Sequence, residues 1–219
     1  MYLGITRMND QNIANDKEFV AHKGYANNLT DKYLERRYES EYTTSRTQFI
    51  DLGLPSGTLW ADRNIGAEAP EDYGDHFRWG ETTPFTENSD DYEYRDLGEN
   101  IAGTEYDAAT SILGKGYKMP THEQQKELID CGTWEWSTVY GFKGMKVTGP
   151  NGNSIFLPAA GYRHYHSRSL DYVGLKGCYW SATPVFTDDG HYLEFDSDNR
   201  SCYGNSRSHG FTVRPVAAT

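Results

Sequence analysis

The sequence predicts an α+β domain of short antiparallel strands, few helices and long loops. Three observations point there. Glycine (22 residues), tyrosine (17) and tryptophan (5) are abundant while hydrophobic residues make up only 37% of the 219 positions, the composition of a loop-rich body with aromatic rings filling much of its core. Apolar residues recur at period two in several short runs bounded by Gly, Pro and Asn. One clear helix start interrupts them, in "MPTHEQQKELIDCG".

Residues 1–48 are polar and charged, and read as an N-terminal arm or oligomerisation segment; "DKYLERRYESEY" is the part able to form a helix. The ordered domain is expected over 49–219. It opens on a hairpin: Ile50, Leu52 and Leu54 alternate up to the turn Pro55-Ser56-Gly57, and Thr58-Leu59-Trp60-Ala61 returns. "PEDYGDHFRWGE" follows as a short helical or irregular aromatic stretch, then a long polar loop through about residue 107. Thr121 and Gln124 have the spacing of a capping box, with Pro120 just outside and Leu128, Ile129 and Cys131 along the apolar edge. Met145 and Val147 rise to the turn Gly149-Pro150-Asn151-Gly152, from which Ile155-Phe156-Leu157 return.

Three short strands should close the domain, in "GCYWSATPV", "HYLEFDS" and "GFTVRPV". In the second, alternation sends Leu193 and Phe195 to the core and Tyr192, Glu194 and Asp196 to solvent. Phe211-Thr212-Val213-Arg214 reads as a half-buried terminal strand, whereas Asp196–His209 before it has no period and reads as loop. The five tryptophans are expected to pack inside, with Trp79 and Trp136 the best candidates for an exposed stacking platform.

Several function classes drop out. A formal charge of −11 without a basic cluster opposes nucleic-acid binding, which depends on grouped Lys and Arg. No apolar run approaches 18 residues, so membrane insertion is not expected, and the start lacks the pattern of an export signal. Cys131, Cys178 and Cys202 show no CxxC spacing and are expected to be free thiols. His164 and His166 share one side of an extended segment, and His191 or Asp196 could join them. Two histidines without a fixed third ligand do not define a metal site, so neither metal nor cofactor is expected. "DSDN" lacks the glycine and terminal glutamate of a calcium loop. Adjacent Asp188 and Asp189 could serve a glycosidase in principle, but neighbouring carboxylates in a turn are usually solvated, and no catalytic constellation assembles.

Taken together, "FIDLGLPSGTLWADRNIGA", "YGDHFRWGE", "YKMPTHEQQKELI", "GNSIFLPAAGYR", "YWSAT" and "GFTVRPV" resemble the Fibrobacter succinogenes major paralogous domain family over about residues 49–216. That resemblance implies a C-type-lectin-like fold and an origin in gut Bacteroidetes or their phages. Some members look like variable proteins of diversity-generating retroelements, in which adenine-directed mutagenesis rewrites a C-terminal stretch. Randomising both adenines of an AAC or AAT codon yields Tyr, Ser, His, Asp, Asn, Arg, Cys, Gly and several apolar residues, never Lys, Glu, Gln, Met or Trp. From Gly161 to His209 those five excluded types occur only at Lys176, Trp180 and Glu194. An ordinary Gly/Ser/Asn loop region has a similar bias, because such residues make turns. The sugar-binding and calcium motifs of C-type lectins are absent, so those activities do not follow. The paired cysteines of the related formylglycine-generating enzymes are absent too.

The resulting expectation is a non-catalytic protein that presents a changeable surface to a protein or glycan receptor on a cell. It would act from a phage tail or an extracellular surface, and could self-associate through the N-terminal arm. The candidate ligand-binding residues are His164, Tyr165, His166, Asp171, Tyr172, Asp188, Asp189, Tyr192, Asp196, Asp198, Tyr203, Asn205 and Arg207, a mix of rigid aromatic and adaptable polar side chains like that of antibody combining loops. A cell-surface glycan-binding or adhesin module without retroelement diversification is the alternative.

Overall fold

The computed structural model describes residues 47–218. The segment read as an N-terminal arm lies, up to residue 46, outside the described residues. The first hairpin forms as expected: β1 (Phe49–Asp51) pairs with β2 (Leu59–Ala61), placing Ile50 opposite Trp60. Leu52 and Leu54 are buried, and the Gly57 N–H closes the turn on the Leu54 carbonyl at 2.9 Å.

Two helices follow. α1 (Ala108–Leu113) is capped by Asp107, whose carboxylate accepts from the Ala109 and Thr110 N–H groups and, from across the fold, from the Met119 N–H. That short helix is hidden in the sequence, because its six residues carry too little periodicity to stand out from the loop before it. After β3 (Tyr117–Lys118), α2 (His122–Cys131) begins with both arms of the Thr121–Gln124 capping box in place.

The rest is strand. β4 (Thr133–Val139), β5 (Phe142–Thr148) and β6 (Ser154–Pro158) form a meander, with Met145 opposite Leu157 and Val147 opposite Ile155 as the hairpin pattern predicts. β4 itself is absent from the sequence expectation. It enters β5 through Tyr140 and Gly141 at φ 47° and 91°, a left-handed pair without the Asn-Gly or Asp-Gly signature of such turns. Gly149 allows this meander to dock on the first hairpin, because a β-carbon there would lie 2.0 Å from the Leu52 carbonyl oxygen. A two-stranded ribbon, β7 (Tyr162–Arg163) with β8 (Leu170–Asp171), leads to β9 (Gly177–Pro184), β10 (Asp189–Phe195) and β11 (Arg200–Ser206). The chain ends in β12 (Val216–Ala217), which inserts between β2 and β3.

Two expectations are corrected here. Among the described residues the class is predominantly β, with several small antiparallel sheets and only 9% helix, not α+β with a C-type-lectin-like fold. The helical content inferred from the capping box stops at Gly132, after which the chain runs straight into β4. The second correction concerns the end of the chain. The run read as patternless contains β11, a seven-residue strand, whereas Phe211–Arg214 is held by isolated bridges and is buried at all four positions.

The β11-β10-β9 sheet separates two cores. Tyr179, Leu193 and Phe195 enter one, with Trp60, Leu128, Val147 and Leu157. Cys178, Trp180 and Tyr192 enter the other, with Ile65, Phe77, Trp79, Met119, Phe211 and Val213. Both faces of β10 are therefore covered, and Tyr192 is 6% exposed instead of solvent-facing. Alternation correctly separates Tyr192 from Leu193 but cannot reveal that a second core lies over the polar-looking side.

Candidate functional site

The loops around β7–β8 and β11 place their aromatic side chains over the second core. Phe211, 1% exposed, is the floor: its ring centroid lies 4.6 Å from Tyr192, 6.0 Å from Tyr162 and 6.0 Å from His209. From that floor the network spreads outward. Tyr172 stacks on Tyr162 at 5.8 Å, Tyr165 meets His209 edge-on at 5.1 Å and stacks on His164 at 4.8 Å, and Tyr203 lies 6.1 Å from Tyr192. Tyr165, Tyr172 and Tyr203 are 52%, 50% and 49% exposed. Each packs part of its ring on an aromatic that is at least partly buried, Tyr162, His209 or Tyr192, and leaves the rest in water, the disposition of a contact residue that is already ordered.

The supporting geometry is specific. Gly161 has φ 65°, and a β-carbon there would lie 2.1 Å from the Asp171 carbonyl oxygen, so glycine is required for the β7–β8 ribbon to close. Within its loop, the His164 Nδ1 accepts the N–H groups of His166 (3.2 Å) and Ser167 (3.3 Å), which puts the ring proton of neutral His164 on Nε2. Burial, followed by the neighbouring His164, holds His209 below the ordinary histidine range, so His209 packs as a neutral ring.

A charged staple crosses the middle. Lys176 Nζ lies 2.8 Å from Glu194 Oε1, Tyr192 donates its hydroxyl to Glu194 Oε2 at 3.2 Å, and the Lys176 ammonium sits 5.6 Å from the Tyr172 ring centroid. The hydrogen bond to Glu194 raises the Lys176 pKa. Cys178 Sγ is 4.0 Å from Glu194, but burial and then the Glu194 charge push that thiol far up, so it stays protonated and is no nucleophile.

The candidate residues from three separate stretches thus meet in part. His164, Tyr165 and His166 form one arm; Asp171, opposite Tyr162, and Tyr172 form the second; Tyr203 and Asn205 on β11 form the third. The remaining acids sit at the two ends of β10: Asp189 lies opposite Ser206, beside Asn205, with Asp188 next to it, whereas Asp196 and Asp198 lie beyond the other end, about 20 Å from Asp189 at ~3.3 Å per residue. Asp196 is a turn residue: its Oδ1 accepts the Asp198 and Asn199 N–H groups at 2.8 Å each, which lowers its pKa.

Two residues expected on the surface are buried: Tyr192, described above, and Arg207, 3% exposed. The Arg207 guanidinium stacks 4.0 Å from the Trp79 ring centroid and donates to the carbonyls of Phe186 (3.0 Å), Asp189 (3.3 Å) and Arg95 (3.3 Å). It ties the β9–β10 turn to the long loop. Trp79 is fully buried beneath it, and Trp136 is half-buried.

Sequence reasoning did not select Tyr162, Lys176 and His209 for the surface. Tyr162 carried a usable signal, since it precedes His164 by two in an extended segment. His209 carried none, because its position depends on the fold of 210–214.

Elsewhere, the loop over residues 78–106 encloses an open polar cleft of about 620 Å³, lined by Arg78, Glu81, Asp90, Glu93, Arg95 and Tyr106 among others. Among the described residues, no group of three or more His, Cys, Asp or Glu side chains is placed to hold a metal ion, and no helix is long and apolar enough to cross a membrane.

No curated protein and no solved structure is significantly similar to this chain. Residues 132–216, from β4 into β12 and including the whole aromatic surface, match a domain of unknown function, DUF8237.

Proposed function

We propose that this chain is a non-catalytic receptor-binding protein whose aromatic surface engages a protein or glycan on a cell, with its exposed side chains diversified by a retroelement. A phage tail or an extracellular surface is the setting that suits such a protein. The observation that carries the reading is the division of labour inside residues 161–209. The residues of the types that adenine randomisation cannot write there all serve as supports: Trp180 is fully buried, and the partly buried Lys176 and Glu194 bind each other at 2.8 Å. Tyr165, Tyr172 and Tyr203, which it can write, stand half in water over those supports. Tyrosine supplies large contact area at low entropic cost, and the Ser, Asn and Gly around it adapt their hydrogen bonding.

The test is to measure binding of the purified chain to cells of candidate host bacteria. Replacing Tyr165, Tyr172, Tyr203 and Asn205 together by Ser should weaken it by ten-fold or more without altering the melting profile. Undiminished binding would place the receptor contact elsewhere. A neighbouring reverse-transcriptase gene with a near-identical repeat of the coding segment for 161–209 is expected, and sister sequences should differ at the exposed tyrosines while keeping Lys176, Trp180 and Glu194.

A further inference from the structure

We propose that two copies of this chain pair through the outer edge of β11, joining their three-stranded sheets into one and setting both aromatic surfaces on the same side. Among the described residues, β11 is the outermost strand of its sheet and pairs only with β10, without a bulge from Arg200 to Ser206. The Asp196 N–H bonds the Asn199 carbonyl and the Arg207 N–H bonds the Asp188 carbonyl, each at 2.9 Å. These two bonds set the phase of the ladder: Ser201, Tyr203 and Asn205 exchange bonds with β10, and Arg200, Cys202 and Gly204 turn their N–H and C=O groups outward. Among the described residues, no hydrogen bond reaches those outward groups.

The edge has a defined end. Ser206 is closed, with its N–H held by Asn205 Oδ1 (2.8 Å), its carbonyl by the His209 N–H (3.1 Å) and its hydroxyl by the Tyr94 hydroxyl (2.8 Å). Natural edge strands are guarded by lysines, prolines, bulges or a covering element. The run from Arg200 to Gly204 has no proline, lysine or acid and a single charge, at Arg200.

The occupant that fits this edge is β11 of a second copy, antiparallel, about a two-fold axis through Cys202. Cys202 then lies opposite Cys202 of the second copy, Arg200 opposite Gly204 and Ser201 opposite Tyr203. Every outward group acquires a partner, and no like charges meet. The Arg200 side chain, now 5.8 Å from the Trp134 ring centroid, faces a residue with no side chain. Registers shifted towards Ser206 run into the end closed by Tyr94. A chain of net charge −11 repels its copies across most surfaces, and this strand carries no acid. An axis perpendicular to the sheet leaves the Tyr203 face of both copies pointing one way, so a surface bearing many receptors would be gripped twice.

Sedimentation of the full chain tests the pairing alone, independently of any receptor. The wild type should form dimers at micromolar concentration. Ser201→Lys with Tyr203→Lys sets like charges opposite each other and should yield monomers, while Ser201→Lys with Tyr203→Glu sets opposite charges there and should restore the dimer. Circular dichroism melts of both variants, expected to match the wild type, separate loss of pairing from loss of folding. A wild type that stays monomeric up to about 100 μM, a dimer that both variants keep, or a dimer that both lose overturns the proposal.

Discussion

Arg200–Ser206 and Phe211–Arg214 are separated by four residues and are built in opposite ways. The first is a regular strand with one edge and much of one face in water; Tyr203 and Gly204 are exposed, and its polar side chains have room to change. The second is an irregular segment with every residue buried. Phe211 floors the aromatic surface, Thr212 Oγ1 donates to the Cys178 carbonyl at 3.0 Å, and the Arg214 guanidinium donates to Asn64 Oδ1 (2.8 Å), the Ala61 carbonyl (3.1 Å) and the Phe156 carbonyl (2.8 Å). Polar composition therefore says little about mobility or exposure. What matters is whether the surrounding fold supplies partners for the polar groups, as it does at Arg214 and does not along β11.

The contrast is broken most severely from the buried side. Arg214→Ala should destabilise the domain by about 3–5 kcal/mol, because it strands buried acceptors on the first hairpin, the 62–66 loop and β6 together. Chemical denaturation checks this, and a loss below about 1 kcal/mol would mean that water replaces the guanidinium. Burial already pulls the Arg214 pKa down to about 10, yet the group stays charged at neutral pH.

Acid should weaken the same side next. His76 lies under the 210–214 segment with Nε2 3.1 Å from the Ala160 carbonyl, and burial lowers its pKa from 6.5 to about 4. The unfolded chain accepts a proton that the native state refuses, so this contribution to stability is present above pH 6.5 and is lost as pH falls towards 4. The slope from this residue approaches about 1.4 kcal/mol per pH unit. Burial depresses His191 and His209 in the same direction. His76→Gln should flatten the profile between those limits; an unchanged slope would reassign the acid sensitivity to the other two.

The exposed side should give the smallest response. The combined serine variant of Tyr165, Tyr172, Tyr203 and Asn205 should cost no more than about 0.5 kcal/mol in all. Tyr172 sits at φ 60°, a conformation as unfavourable for serine as for tyrosine, so the backbone contributes little to the difference. A loss of several kcal/mol would show that the outer rings are part of the core and erase the distinction between the two segments.

Local chemistry was enough to establish the capped helix at Thr121, the hairpins ending at Pro55-Ser56-Gly57 and Gly149-Pro150-Asn151-Gly152, and the mixed character of residues 161–209. Each of these depends on residues a few positions apart, whose spacing is set by covalent geometry. The predominantly β class, the strand in Arg200–Ser206, the burial of Tyr192, Arg207 and Arg214, and the gathering of Tyr165, Tyr172 and Tyr203 around Phe211 were decided by the tertiary structure. Each depends on partners far away in the chain: the Trp79 ring for Arg207, the Asn64 amide for Arg214, and a second core laid over β10 for Tyr192. A period-two pattern reports that the two sides of a strand differ, but only the packed neighbours determine which side meets water and whether a polar group must be buried with its hydrogen bonds made.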